Sequence, residues 1–244
     1  AEQSADADGG DELCALSERF HITFAEYKLS LAGMDSKVAA STTRLGDAVE
    51  ACLALCKASL DGADPEAELA QACRERLLVE VSSSLRSTAS AGHFEETAAI
   101  CQHATALGSL EEPAAVFTKL ASQLVIKESR ASFERVKSMR NISALTNDGV
   151  VVVKPDDDTY VDAVAAVLQI GTNCVVRGKS VLPKSKVDDF CVAVQQRVID
   201  GLKPLVELYA KDRKIDELRT EARAQSGERG ASWADRMSEL DVFC

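Results

Sequence analysis

Aromatic side chains are scarce in this 244-residue chain: seven Phe, three Tyr and one Trp make up 5 % of it. β-Sandwiches and barrels draw their cores from aromatic and β-branched residues, so the shortage argues against them and for an aliphatic, alanine-rich core of close-packed helices. Proline is equally sparse, at five residues, which permits long helices. Histidine occurs three times and no Cys-x-x-C pair occurs at all, so the close ligand pairs of structural zinc sites are missing. No uninterrupted apolar run approaches the roughly 18 residues of a spanning helix, and a membrane anchor is expected only beyond Cys244. Positive charge is in deficit, 28 Lys and Arg against 39 Asp and Glu, for a formal net charge of −11. Such a surface repels phosphate backbones and anionic lipid, which disfavours nucleic acid and membrane surfaces as partners.

Hydrophobic residues form 46 % of the chain, enough for a sizeable core in one large domain or two small ones. Eight cysteines are present: Cys14, Cys52, Cys56, Cys73, Cys101, Cys174, Cys191 and Cys244. Their even number, without metal-ligand spacing, reads as a disulfide framework and an oxidising compartment. The start at Ala1 fits a trimmed signal peptide, and Asn141-Ile142-Ser143 is a glycosylation sequon with Asn141 as acceptor.

The apolar pattern is helical. Leu13, Leu16, Phe20, Phe24, Tyr27, Leu31, Met34, Val38, Leu45, Val49, Cys52 and Cys56 follow at spacings of three and four, with one skip of seven. The spacing predicts one helix from about Asp11 to Leu60, on the order of 75 Å long, weakened but not stopped by Gly33 and Gly46. Asp61 to Pro65 is a stop followed by a start. A second helix runs from Pro65, with a break near Ser87 to Gly92, to Leu107, where Gly108 ends it. A third spans Pro113 to about Ile142. Ser143 to Asp158 is the one long loop, with a turn at Asn147-Asp148-Gly149 and a strand-like run from Val150 to Val153. A shorter helix (Val161, Val164, Leu168, Cys174) precedes a Gly178-to-Pro183 turn. A last long helix runs to Ala222, kinked at Pro204, and a short tail helix carries Trp233, Met237, Leu240 and Phe243.

These stretches predict an all-α fold: an elongated antiparallel bundle of long helices stapled by disulfides, with one long irregular loop. Residues 1–10 form a flexible segment, 11–226 the bundle with its loop at about 143–158, and 227–244 the tail. The first hairpin puts Cys52 or Cys56 level with Cys73; the last puts Cys174 level with Cys191.

Catalytic chemistry is hard to find. Gly171 to Ser180 ends in Gly-Lys-Ser, but Asn173 stands where a phosphate loop needs glycine, and a helix precedes it instead of a strand. Cys101 and His103 lie two apart on a helix and face different ways, unlike a nucleophile and its base. Asp156-Asp157-Asp158 lacks the alternating ligands, sharp-turn glycine and closing Glu of a calcium loop. The expectation is no enzyme, no cofactor and no metal.

Long antiparallel helices, a cysteine just inside the first helix (Asp11-Glu12-Leu13-Cys14-Ala15-Leu16-Ser17-Glu18), even cysteines and a sequon resemble trypanosome surface receptors, and within them the invariant surface glycoproteins. The resemblance implies a monomeric ectodomain on the outer face of the plasma membrane. Its partner would be a host serum protein, complement component three and its fragments first, with immunoglobulin or haptoglobin–haemoglobin as alternatives. It carries over no ligand-binding residue. The binding surface is expected instead on the long loop, at Asn147, Asp148, Val150, Lys154, Asp156, Asp157, Asp158 and Tyr160. A dimeric structural coat protein is the competing reading.

Overall fold

A computed structural model describes residues 6–32, 38–59, 64–140, 143–146, 149–152 and 155–215. Among them the chain forms seven α-helices and one β-hairpin: α1 Asp6–Ala32, α2 Val38–Ala58, α3 Asp64–Ala91, α4 Phe94–Ala106, α5 Glu111–Arg140, β1 Ser143–Thr146, β2 Gly149–Val152, α6 Asp157–Val181 and α7 Lys184–Asp212. The all-α class stands. Two compact units divide it, one of residues 1–124 and 171–196, the other of 125–170 and 197–244.

The first unit corrects the expectation of a single N-terminal helix. α1 ends at Ala32, α2 starts at Val38, and the two pack side by side, with Ser30 Oγ 3.0 Å from Ser41 Oγ. Phe20, Phe24 and Tyr27 on α1 and Leu45, Val49 and Cys52 on α2 are buried at helical spacing on either side of the break, while Leu31 is exposed, so periodicity alone hid the reversal. Gly33 was the signal: glycine lowers helix stability by about 1 kcal/mol, and here the helix does stop. Phe20, Phe24 and Tyr27 of α1, Leu45, Val49 and Leu55 of α2, and Leu77, Val81 and Leu85 of α3 are all buried.

Helix ends in this unit follow glycine chemistry. Gly92 (φ +77°) and Gly108 (φ +86°) adopt the left-handed conformation that L side chains rarely take. His93 N–H donates to Thr88 O (3.0 Å) and Gly92 N–H to Ala89 O (3.1 Å); Ser109 and Gly108 repeat the pattern onto Ala104 and Thr105. Both are Schellman caps, which satisfy the last carbonyls of α3 and α4. A ladder of rings then joins three helices, Phe94 to Phe117 at 5.1 Å and Phe117 to Phe190 at 5.6 Å.

The second unit buries Val136 of α5, Tyr160, Ala163 and Val167 of α6, and Leu205 and Tyr209 of α7. α7 continues through Pro204. α7 stops at Asp212 and Lys214 turns at φ +53°, which corrects the expected unbroken run to Ala222; residues 216–244, with the tail helix and Cys244, lie outside the described residues.

Seven cysteines fall among the described residues, and each is a free thiol. Cys52, Cys73, Cys101 and Cys174 are packed into the core like small apolar groups. The hairpin expectation for Cys52, Cys56 and Cys73 holds as a placement: the three thiols are neighbours. The other pairing does not. Gly178 lies against Phe190, a register that sets Cys174 level with Val194, so Cys191 sits about one helical turn closer to the bend.

That contact yields a prediction. Replacing an interior glycine by alanine normally stabilises a helix by up to about 1 kcal/mol, but a Cβ on Gly178 collides with the Phe190 ring. Gly178→Ala is therefore expected to destabilise by about 1–3 kcal/mol. Urea unfolding measures it, and a variant more stable than the parent contradicts the packing.

Candidate partner-binding segment

The helical pattern breaks between Arg140 and Asp157, where the chain turns into a hairpin. β1 and β2 pair antiparallel with Ser143 opposite Val152, Leu145 opposite Val150 and Thr146 opposite Gly149. Asn147 and Asp148 connect them, a two-residue link of the Asn-Asp-Gly kind that tight hairpins favour. The expected irregular loop is thus replaced by an ordered ribbon. Val150 to Val152 was legible as strand; its partner, Ser143-Ala144-Leu145-Thr146, carries no alternation strong enough to announce itself.

The return from the hairpin is fixed by three carboxylates in different roles. Asp156 Oδ1 accepts from Thr159 N–H (2.9 Å) and from Thr159 Oγ1 (2.5 Å), the N-cap geometry that starts α6. The Thr159 hydroxyl and amide together hold the Asp156 carboxyl below its ordinary range. Asp157 accepts from Arg213, whose Nε lies 2.8 Å from Oδ1 and whose Nη2 also reaches Pro155 O at 3.2 Å. The guanidinium lies 5.6 Å from the Tyr209 ring centroid. Asp158 completes the acidic first turn, favourable at the positive end of the helix dipole.

Beneath this surface lies a buried contact. Tyr160, fully buried, donates to Asp212 Oδ2 at 2.5 Å and meets Tyr209 edge-on at 5.1 Å. The end of α7 therefore clasps the start of α6 and fixes the base of the hairpin. Of the expected partner-binding residues, Asp156 and Asp158 are exposed, Asp157 is tied to Arg213, and Tyr160 is core. Val150 is placed in β2. Asn147, Asp148, Lys154 and the sequon acceptor Asn141 lie outside the described residues.

Two surfaces escaped the sequence reading. A groove between α5 and α7 is walled by Ile126, Phe133 and Pro204 and edged by Arg130 and Arg197; it forms from helix packing, which spacing alone does not display. α6 is also long and apolar enough, at a mean hydropathy of 1.3, to cross a membrane by length and composition. The search for an unbroken apolar run missed it because Asp162 and small polar residues interrupt the run without lowering the average far. Its Val161, Leu168 and Val176 are 41 %, 47 % and 64 % exposed.

No protein-family model matches this chain, and neither the curated proteins nor the solved structures contain a significant match.

The clasp separates two kinds of polar contact. Tyr160→Phe removes a hydroxyl from a buried carboxylate and is expected to cost about 1–3 kcal/mol. Arg213→Ala opens a partly exposed ion pair and is expected to cost no more than about 1 kcal/mol. Urea midpoints of the two variants, compared with the parent, check the order; a reversed order contradicts it.

Proposed function

We propose that this chain is the ligand-binding ectodomain of a parasite cell-surface receptor, held at the outer face of the plasma membrane and binding a host serum protein to blunt immune attack. The observation that carries the reading is the hairpin from Ser143 to Val152, set between two long helices and anchored at its base by Asp157–Arg213 and Tyr160–Asp212. A two-stranded ribbon on a helical scaffold has an unpaired edge on each strand, which suits recognition of a folded protein by strand addition. Exposed Asp156 and Asp158 add negative charge beside it. The resemblance to invariant surface glycoproteins makes complement component three the first candidate, ahead of immunoglobulin and haptoglobin–haemoglobin. Oxidation of the cysteines in that compartment belongs to the same proposal.

Capture from host serum on the immobilised ectodomain is the test, with the retained protein identified by mass spectrometry. Replacing Ser143 to Val152 by a Gly-Ser linker of equal length, or reversing charge with Asp158→Lys, is expected to weaken the captured partner at least about tenfold, equivalent to about 1.4 kcal/mol. Undiminished affinity in both variants refutes the hairpin as the binding surface.

The second reading, a structural coat protein that pairs through helix faces, is favoured by α6. Val161, Leu168 and Val176 form an exposed apolar stripe on a helix whose first turn holds Asp157 and Asp158 and whose last turn holds Lys179. Antiparallel pairing of two copies sets Val161 near Val176, Leu168 on Leu168 and Asp158 near Lys179. Sedimentation velocity decides. A monomer supports the receptor reading; a dimer dispersed by Leu168→Asp supports the second.

A further inference from the structure

The α2–α3 hairpin brings three thiols together. Cys52 and Cys56 lie one turn apart on α2, and Cys56 is among the neighbours that, after burial, push the Cys52 thiol up. Cys56 Sγ also reaches across to the Ala70 carbonyl of α3 at 3.8 Å. That carbonyl points along α3 toward the next turn, where Cys73 sits, and Cys56 is the thiol neighbour that acts on Cys73. Among the described residues no group of three or more His, Cys, Asp or Glu side chains is placed to hold a metal ion, so the cluster lacks a metal site's geometry.

Exposure divides the three. Cys52 is fully buried and Cys73 is 5 % exposed, whereas Cys56 is half-buried and is the sulfur a soluble oxidant reaches first. We infer that Cys56 and Cys73 are the pair that forms a disulfide, closing the α2–α3 hairpin, with Cys52 retained as a buried thiol. Burial raises both buried thiols, Cys52 to about 12 and Cys73 above its ordinary value, so neither starts the exchange; the contact of Cys56 Sγ with the Ala70 carbonyl, which turns it toward α3, favours Cys73 as its partner.

The chemistry balances with a small-molecule disulfide such as oxidised glutathione. The Cys56 thiolate attacks one of its sulfurs, forms a mixed disulfide and expels one thiolate. Cys73 then gives its proton to water, attacks the Cys56 sulfur and expels the second. Two protein thiols lose two electrons, and one small disulfide becomes two thiols. The ring closed spans about 18 residues, a length for which cross-linking restricts the unfolded chain appreciably.

This pairing deepens the proposed function through its premise of an oxidising compartment, and its test is independent of serum binding. Purified, fully reduced protein is equilibrated in a glutathione redox buffer, quenched with an alkylating agent, digested and mapped by mass spectrometry. Because Cys52 and Cys56 share one tryptic peptide, the parent is run beside Cys52→Ala, Cys56→Ser and Cys73→Ser. The expected result is a link to the Cys73 peptide in the parent and in Cys52→Ala, absent from the other two, with oxidation raising the melting temperature by roughly 5–10 °C. A link that survives Cys56→Ser but not Cys52→Ala, or no link at all in the parent, overturns the inference. Failure of serum capture with this link present bears on the receptor reading alone.

Discussion

Burial of one apolar stripe per helix is the constraint on which everything else in this protein rests. With few aromatic residues, each helix offers mainly Ala, Val, Leu and Cys, and these stabilise only when backbones come close. Each fully buried Leu, Val or Phe contributes about 1.5–3 kcal/mol. Phe20, Leu45, Leu55, Leu77, Leu85, Ile100, Phe117 and Phe190 are all essentially inaccessible in the first unit. Their combined burial far exceeds the ~2–4 kcal/mol of a single disulfide. Cys52, Cys73, Cys101 and Cys174 join this core as packed thiols, so a cross-link adds to an arrangement that side-chain burial sets.

The same constraint bears on where the proposed binding surface lies. Helices that spend their apolar faces on one another leave little concave surface, so the candidate contact surface moves to the place where the helical pattern is interrupted. The hairpin after α5 is that place, and at its base polar contacts join the apolar core of Val136, Tyr160 and Tyr209. Tyr160 and Asp212 supply the buried link, while Arg213 spans Asp157 and the Pro155 carbonyl at the surface. Asp156, by capping α6, sets where the helix begins and hence where the ribbon ends.

Much of the fold was legible in residue spacing. The stops at Gly92 and Gly108, the start at Pro65, the bend near Pro183 and the strand at Val150 follow from local chemistry, and local chemistry can be read locally. What spacing could not show was direction. Phe20, Phe24 and Tyr27 of α1 and Leu45, Val49 and Cys52 of α2 keep helical spacing whether the chain runs straight or doubles back between the two helices, because either arrangement can bury them. The register of the last hairpin was similarly hidden: Gly178 against Phe190 sets it, and that contact shifted Cys174 away from Cys191. At the candidate site, the three consecutive aspartates were legible as failing a calcium loop, and they stand where α6 begins. Their division into a cap, an ion-pair partner and a free surface charge depends on Thr159 and on Arg213, which is distant in the sequence.

The central claim is that stripe burial specifies the fold without cross-links, and it is tested most directly by far-UV circular dichroism of the fully reduced protein during urea titration. The account predicts a strongly helical spectrum under reducing conditions that is lost cooperatively as urea rises. A reduced chain with little helix, or one whose helical signal melts away gradually without a transition, would contradict it.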